Sequence, residues 1–286
     1  MSHTHKILGS VVAAVMAAAA LPGSVLAQNV PIPVTSSSFE STYADLADLS
    51  DAANLVLRVQ IRKQIEVEPE RSPGLRAGFA RLYIEADTLA LLSGTVSVGE
   101  SVKYLVDVPR DAKGRVPKLK KQQMLLFARS VPGRPGEIQL VGNGAQLAAT
   151  ADLEARVRPI LSALIAPDSP PVVTGVRDAL SVEGNLVGES ETQLFLATRR
   201  GDPVSITVIR RPGQNPIWGV SFTEIVDQAA LPPRPSTLAW YRLACFLPGT
   251  LPGEANLSRD AASRAQAAAD YRYVLGQLGP CLRNRG

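Results

Sequence analysis

Residues 54–67 read NLVLRVQIRKQIEV and constrain the fold more than any other stretch of the chain. Leu55, Leu57, Val59, Ile61, Ile65 and Val67 are apolar; Arg58, Gln60, Arg62, Gln64 and Glu66 alternate with them, and only Lys63 breaks the row. A period of two over this length places one row of side chains on a core and the other in water, as in a half-buried antiparallel strand. A helix preceding it is signalled by Thr42 as N-cap with Asp45 three residues on, a variant of the capping box. Asp48 and Asp51 fall on the same helix, and with Asp45 they read as its solvated face.

The alternation recurs downstream. Ala80, Leu82, Ile84 and Ala86 form a second apolar row, and Val102, Tyr104, Val106 and Val108 a third. The continuous run 124–128 suits a strand covered on both sides, and 138–141 reads as a last short strand. Five short strands and a capping helix within about 100 residues predict a small closed barrel or sandwich. A helix over 150–165 follows, with Leu153, Val157, Ile160, Leu161 and Leu164 on one face and Pro159 as a kink.

Asp168-Ser169-Pro170-Pro171 is the candidate linker, so the expected layout is 42–167 as the first domain and 172–286 as the second. In the second part, 192–198, 204–209 and 217–222 predict a three-stranded antiparallel sheet, while 172–182 fits either a strand or a helix. Helices are expected over 236–247, capped by Ser236, and over 258–278, capped by Ser258. The last carries Ala261, Ala265, Ala268, Tyr271, Leu275 and Leu278 on one face. The fold class is therefore α+β.

A short acidic helix running into a long first strand and then an alternating meander resembles the OB-type barrel of netrin-like modules, over roughly residues 43–142. The resemblance implies a barrel that binds through its loops. Those modules are stapled by cysteines absent from this segment, so their protein-binding roles are not carried over. The whole chain also resembles exported bacterial proteins of unassigned function.

Residues 1–27 read as a secretory signal peptide: His3, His5 and Lys6 form a polar start, 11–21 an apolar run, and Val25-Leu26-Ala27 the cleavage pattern. Residues 28–41 then form a Pro- and Ser-rich lead-in. The expected location is the periplasm or the cell exterior. His3 and His5 are the chain's two histidines, so the mature chain is expected to lack histidine, which excludes Ser-His-Asp and Cys-His catalysis and His-ligated metals. Cys245 and Cys281 are the two cysteines, and in an oxidising compartment they read as one disulfide. No metal, cofactor or transmembrane segment is expected.

Basic residues outnumber acidic ones by 30 to 26, too small an excess to mark a nucleic-acid binder. The charge is nonetheless local: Arg110, Lys113, Arg115, Lys118, Lys120 and Lys121 stand against Asp111 alone in one interstrand segment. This run is the candidate binding surface, and a solvated hairpin tip is the competing reading. Arg200-Gly201-Asp202 reads as turn chemistry. The expected function is a non-enzymatic binding or structural role, with an envelope protein or anionic polymer as partner. The alternative is a histidine-free hydrolase using carboxylates or a Ser/Lys pair.

Overall fold

A strand with apolar side chains on both faces has to lie between two apolar layers, and β1 (Leu55–Glu66) does so at its start. In the computed structural model, which describes residues 40–94, 98–223 and 230–285, Leu55, Leu57, Val59 and Ile61 enter one hydrophobic cluster while Val56 enters another. The signal-peptide segment 1–27 lies outside the described residues, as does the lead-in up to residue 39. β4 (Gln123–Ser130) pairs antiparallel with β1 and divides its side chains in the same way. Met124, Leu126 and Ala128 join the first cluster, Leu125 and Phe127 the second. The run 124–128 is thus covered on both sides, as its composition predicts.

The remaining strands of this sheet are β2 (Phe79–Gly94), β3 (Ser101–Pro109), β5 (Ile138–Leu140) and β6 (Gln146–Ala148), in the order β3-β2-β1-β4-β5 with β6 also on β4. Ala80, Leu82, Ile84 and Ala86 are fully buried, as their alternation requires. The expected closed barrel is not formed. β3 and β5, at the two ends of the path, meet where Lys103 N–H donates to Gly136 O at 2.8 Å and in a parallel bridge between Lys103 and Glu137. A three-residue β5 is too short to follow the nine-residue β3 further.

The apolar row of β1 also ends earlier than expected. Ile61 lies opposite Ala86 and Lys63 opposite Glu85, which leaves Arg62 as an extra residue in a bulge. A bulge reverses the alternation beyond it, so Ile65 is 43% exposed instead of buried.

α1 (Tyr43–Ala52) carries the expected capping box: Thr42 Oγ1 accepts from Asp45 N–H at 3.1 Å, and Asp45 accepts from Thr42 N–H at 2.8 Å. α2 (Ala151–Ile165) buries Leu153, Val157, Ile160 and Leu161. These two helices contribute to the same cluster as Val56, Leu125 and Phe127. A second antiparallel sheet follows, with β7 (Val173–Glu183), β8 (Ser190–Thr198), β9 (Ser205–Arg210) and β10 (Ile217–Ser221) in the order β10-β9-β8-β7. It has four strands where three were expected, because the segment left open between strand and helix is β7.

α3 (Leu238–Ala244) and α4 (Ala261–Leu278) complete the chain. Their caps are Thr237 and Asp260 rather than Ser236 and Ser258. Ser258 is buried instead, and its hydroxyl accepts the N–H of Ser181 on β7 at 3.0 Å. The inner face of α4 holds Ser263, Ala267, Asp270, Tyr271, Val274 and Leu278. Apolar spacing misplaced that face because two of its positions are polar. Cys245 and Cys281 form the expected disulfide. Among the described residues no helix is long and apolar enough to cross a membrane.

The segment 168–171 connects the two sheets, yet buried side chains from both sides of it share one cluster. Val56, Phe127 and Leu153 belong to that cluster, and so do Leu194, Ile206, Tyr241 and Tyr271. Urea unfolding followed by Trp218 and Trp240 fluorescence should therefore coincide with loss of far-UV circular dichroism. Two separated transitions would restore 168–171 as a boundary between independent domains.

Candidate functional site

The basic run spans the connection from β3 to β4, and two of its six charges are matched by carboxylates, one from β1 and one from the run itself. Arg110 is paired with Glu66 at the end of β1 and donates to Gly114 O at 3.1 Å. Asp111 organises the first turn by accepting the N–H groups of Lys113 at 2.9 Å and Arg115 at 2.8 Å, and it pairs with the Arg115 guanidinium at 2.7 Å. The Arg115 backbone and side-chain bonds, with that from Lys113, hold the Asp111 carboxyl below its ordinary range.

The second half of the run is strapped across β1. Gln64 binds it twice, donating to Pro117 O and accepting from Leu119 N–H, each at 2.8 Å. Lys121 N–H donates to Ile61 O at 2.7 Å, and Gln60 Nε2 donates to Lys121 O at 3.3 Å. Leu119 is buried in the cluster between the strands. Lys121 adopts φ 70°, a left-handed conformation that a non-glycine residue holds only where its surroundings impose it. This is a pinned strap rather than a hairpin tip. Among the described residues Lys113, Lys118, Lys120 and Lys121 are exposed and make no ion pair with a carboxylate. The strap holds Lys118, Lys120 and Lys121 within four residues, while Lys113 sits in the Asp111 turn.

No family model matches the chain, and no curated protein matches it.

A second feature escaped the sequence reading. The unclosed seam between β3 and β5 is a groove of about 700 Å³, lined by Lys103 through Asp107 on one side and Glu137 through Leu140 on the other. Arg81 and Asp107 face each other across β2 and β3 and form a two-point ion pair at 2.7 and 2.8 Å. The Arg81 hydrogen bonds hold the Asp107 carboxyl below its ordinary range against the opposing effect of burial. Arg134 pairs with Glu137 at 3.3 Å at the other end. The Arg81–Asp107 pair is visible only once the strand register is known.

The acidic face of α1 is not solvated as expected. Asp45 is 2% exposed and accepts the N–H groups of Asn284 at 3.1 Å and Arg285 at 3.0 Å. Asp48 accepts from the Tyr241 hydroxyl at 2.5 Å and from Arg283 at 2.6 Å. Asp51 takes both terminal nitrogens of the buried Arg242, at 3.0 and 2.8 Å. The three carboxylates clamp the C-terminal segment and α3 to α1, a structural task. Arg200-Gly201-Asp202 forms the β8–β9 turn as expected, with Gly201 at φ 81°.

Proposed function

We propose that the chain is an exported, non-enzymatic binding protein of the periplasm or cell envelope, built on an OB-like barrel left open at one seam, and that its lysine strap engages an anionic envelope polymer. The observation that carries this reading is the state of the strap. Among the described residues its lysines lack carboxylate partners, while the backbone beneath them is already fixed by Gln64, Ile61 and the buried Leu119. A backbone already ordered beneath the cations removes part of the ordering cost of binding an anionic surface.

Asp107, in the seam, favours binding over hydrolysis. A general acid needs its affinity for protons raised, whereas Asp107 is held low by Arg81. An envelope protein as partner is the other reading of the same exposed lysines.

The test replaces Lys118, Lys120 and Lys121 with Gln. At about 1 kcal/mol per lysine near an anionic surface, retention on an anionic polymer or lipid at low salt should weaken roughly 100-fold. Wild-type retention should itself collapse between about 0.1 and 1 M salt, as the Debye length contracts from about 10 to about 3 Å. Equal retention of wild type and variant at low salt would leave the strap a solvated loop.

A further inference from the structure

The hydrogen-bond parity of the seam leaves main-chain groups of both its strands facing open space. Val67 N–H donates to Arg81 O at 2.8 Å, so the backbone of Arg81 faces β1. In the β2–β3 register Arg81 lies opposite Asp107. That pair exchanges no backbone bonds, and the N–H and C=O of Asp107 point away from β2, into the seam. The same parity applies two and four residues back, at Leu105 and Lys103. The bond from Lys103 N–H to Gly136 O bears it out.

On β5, Val141 N–H donates to Phe127 O at 3.0 Å and Glu137 O accepts from Val131 N–H at 3.3 Å, so alternate residues from 137 face β4. Leu140 and the carbonyl of Ile138 then face the seam. Among the described residues no backbone hydrogen bond joins the two edges beyond Lys103. The seam is a wedge, pinned at Lys103–Glu137 and open past Leu105, Asp107 and Leu140.

We propose that this wedge binds an extended peptide segment, taken up as an added strand on the edge of β3. Donor and acceptor pairs at Leu105 and Asp107 repeat every two residues, a spacing of about 6.6 Å that another extended backbone matches. Natural edges are blunted by charge, proline or cover, yet the middle of this edge carries Leu105, 52% exposed, with Tyr83 also lining the groove. An added strand sets an apolar side chain there. Opposite, Gly142 brings no side chain, and a Cβ built on it meets nothing within 4 Å. The ion pairs at the two ends, Arg81–Asp107 and Arg134–Glu137, are internally neutralised. Among the described residues Lys103, at the pinned end, makes no ion pair, but past it the lining charges are matched, so the wedge suits a peptide uncharged along its middle; this proposal is independent of the lysine strap.

The probe is a capped peptide of alternating threonine and valine, about seven residues long and so able to span the β3 edge at ~3.3 Å per residue. At saturation the amides of Leu105 and Asp107 should become protected from hydrogen exchange. Leu105→Pro removes an N–H that the β2 ladder does not use, and proline is tolerated on such an edge. Affinity should fall roughly tenfold for the lost bond. Two further arms keep the test decisive if that variant misfolds. A peptide N-methylated at alternate residues, made in both registers, should lose binding to wild type in one register. The Lys118, Lys120 and Lys121 to Gln variant should bind the unmethylated peptide normally. Unprotected Leu105 and Asp107 amides under saturating peptide, or undiminished binding of both methylated registers, would overturn the proposal.

Discussion

Asp51→Ala is expected to lower stability by about 3–5 kcal/mol, because it strands the Arg242 guanidinium in the interior without its counter-charge. The Arg242 side chain is 3% exposed against 25% for Asp51, and the two meet through a pair of bonds. The Pro170 carbonyl supplies a weaker acceptor at 3.4 Å, too little to replace a carboxylate. The double variant Asp51→Ala with Arg242→Met should recover most of the loss, since a matched apolar replacement leaves no charge buried. Urea midpoints of the two single variants and the double give the coupling directly. Additive losses would mean that the pair contributes nothing as a pair.

The same clasp sets the acid limit. Hydrogen bonds from Arg242 hold Asp51 below its ordinary range. At Asp45 burial pushes upward, but bonds from the backbones of Thr42, Asn284 and Arg285 and the Thr42 hydroxyl outweigh it. A carboxyl held low in the folded state gives stability that is present above its unfolded value, about 3.9, and is lost as pH falls through the folded one. The urea midpoint should therefore stay level from neutral pH to about 5 and decline below about 4, less steeply in Asp51→Ala.

Reduction of Cys245–Cys281 carries the second large effect. The cysteines are 36 residues apart, and freeing a loop of that size costs about 4 kcal/mol on the chain-entropy account. The bond also anchors the segment that follows α4. There Leu282 O accepts from the Thr42 hydroxyl at 2.8 Å, Arg283 reaches Asp48, and the Asn284 and Arg285 amides reach Asp45. With dithiothreitol, exchange should accelerate in α1, α3, α4 and residues 279–285, while the β1–β4 ladder stays protected. An unchanged urea midpoint in the reduced protein, or two free thiols in protein isolated without reductant, would overturn this.

What the sequence revealed and what it hid divide by distance along the chain. The α1 capping box spans four residues, so Thr42 and Asp45 announce it locally. β1 and β4 write their burial into period-two and continuous apolar runs. Two cysteines admit one intramolecular pairing. The bulge at Arg62 belongs to the register with β2 and not to β1 alone, so Ile65 looked buried. β7 interleaves Thr174, Arg177 and Asp178 with its apolar residues, and its period blurs. Asp45, Asp48 and Asp51 looked solvated because their partners lie some 190 to 240 residues away. The lysines of the strap were visible as a charge run, but Gln64, which pins them, carries no signal of that role. The seam is a property of two strand edges that only the fold brings together.

The doubly covered pair β1–β4 has a consequence for how this protein can go wrong. Leu125 and Leu126 are neighbours in the chain but fill different clusters. In a strand with one wet face, a one-residue slip would throw leucines into water and be rejected at once. Along β4 both faces are apolar, so a slipped β4 would still bury its side chains, and hydrophobicity gives little protection against the error. The guard is polar and sits at the α1–β1 junction. Asn54 Oδ1 accepts the N–H of Ser130 at 3.1 Å, Asn54 N–H donates to Ala128 O at 3.0 Å, and Arg129 Nε donates to Ala52 O at 2.8 Å. A short cluster of directional bonds beside Asn54, not the oil on either side, tells the two central strands where to stop.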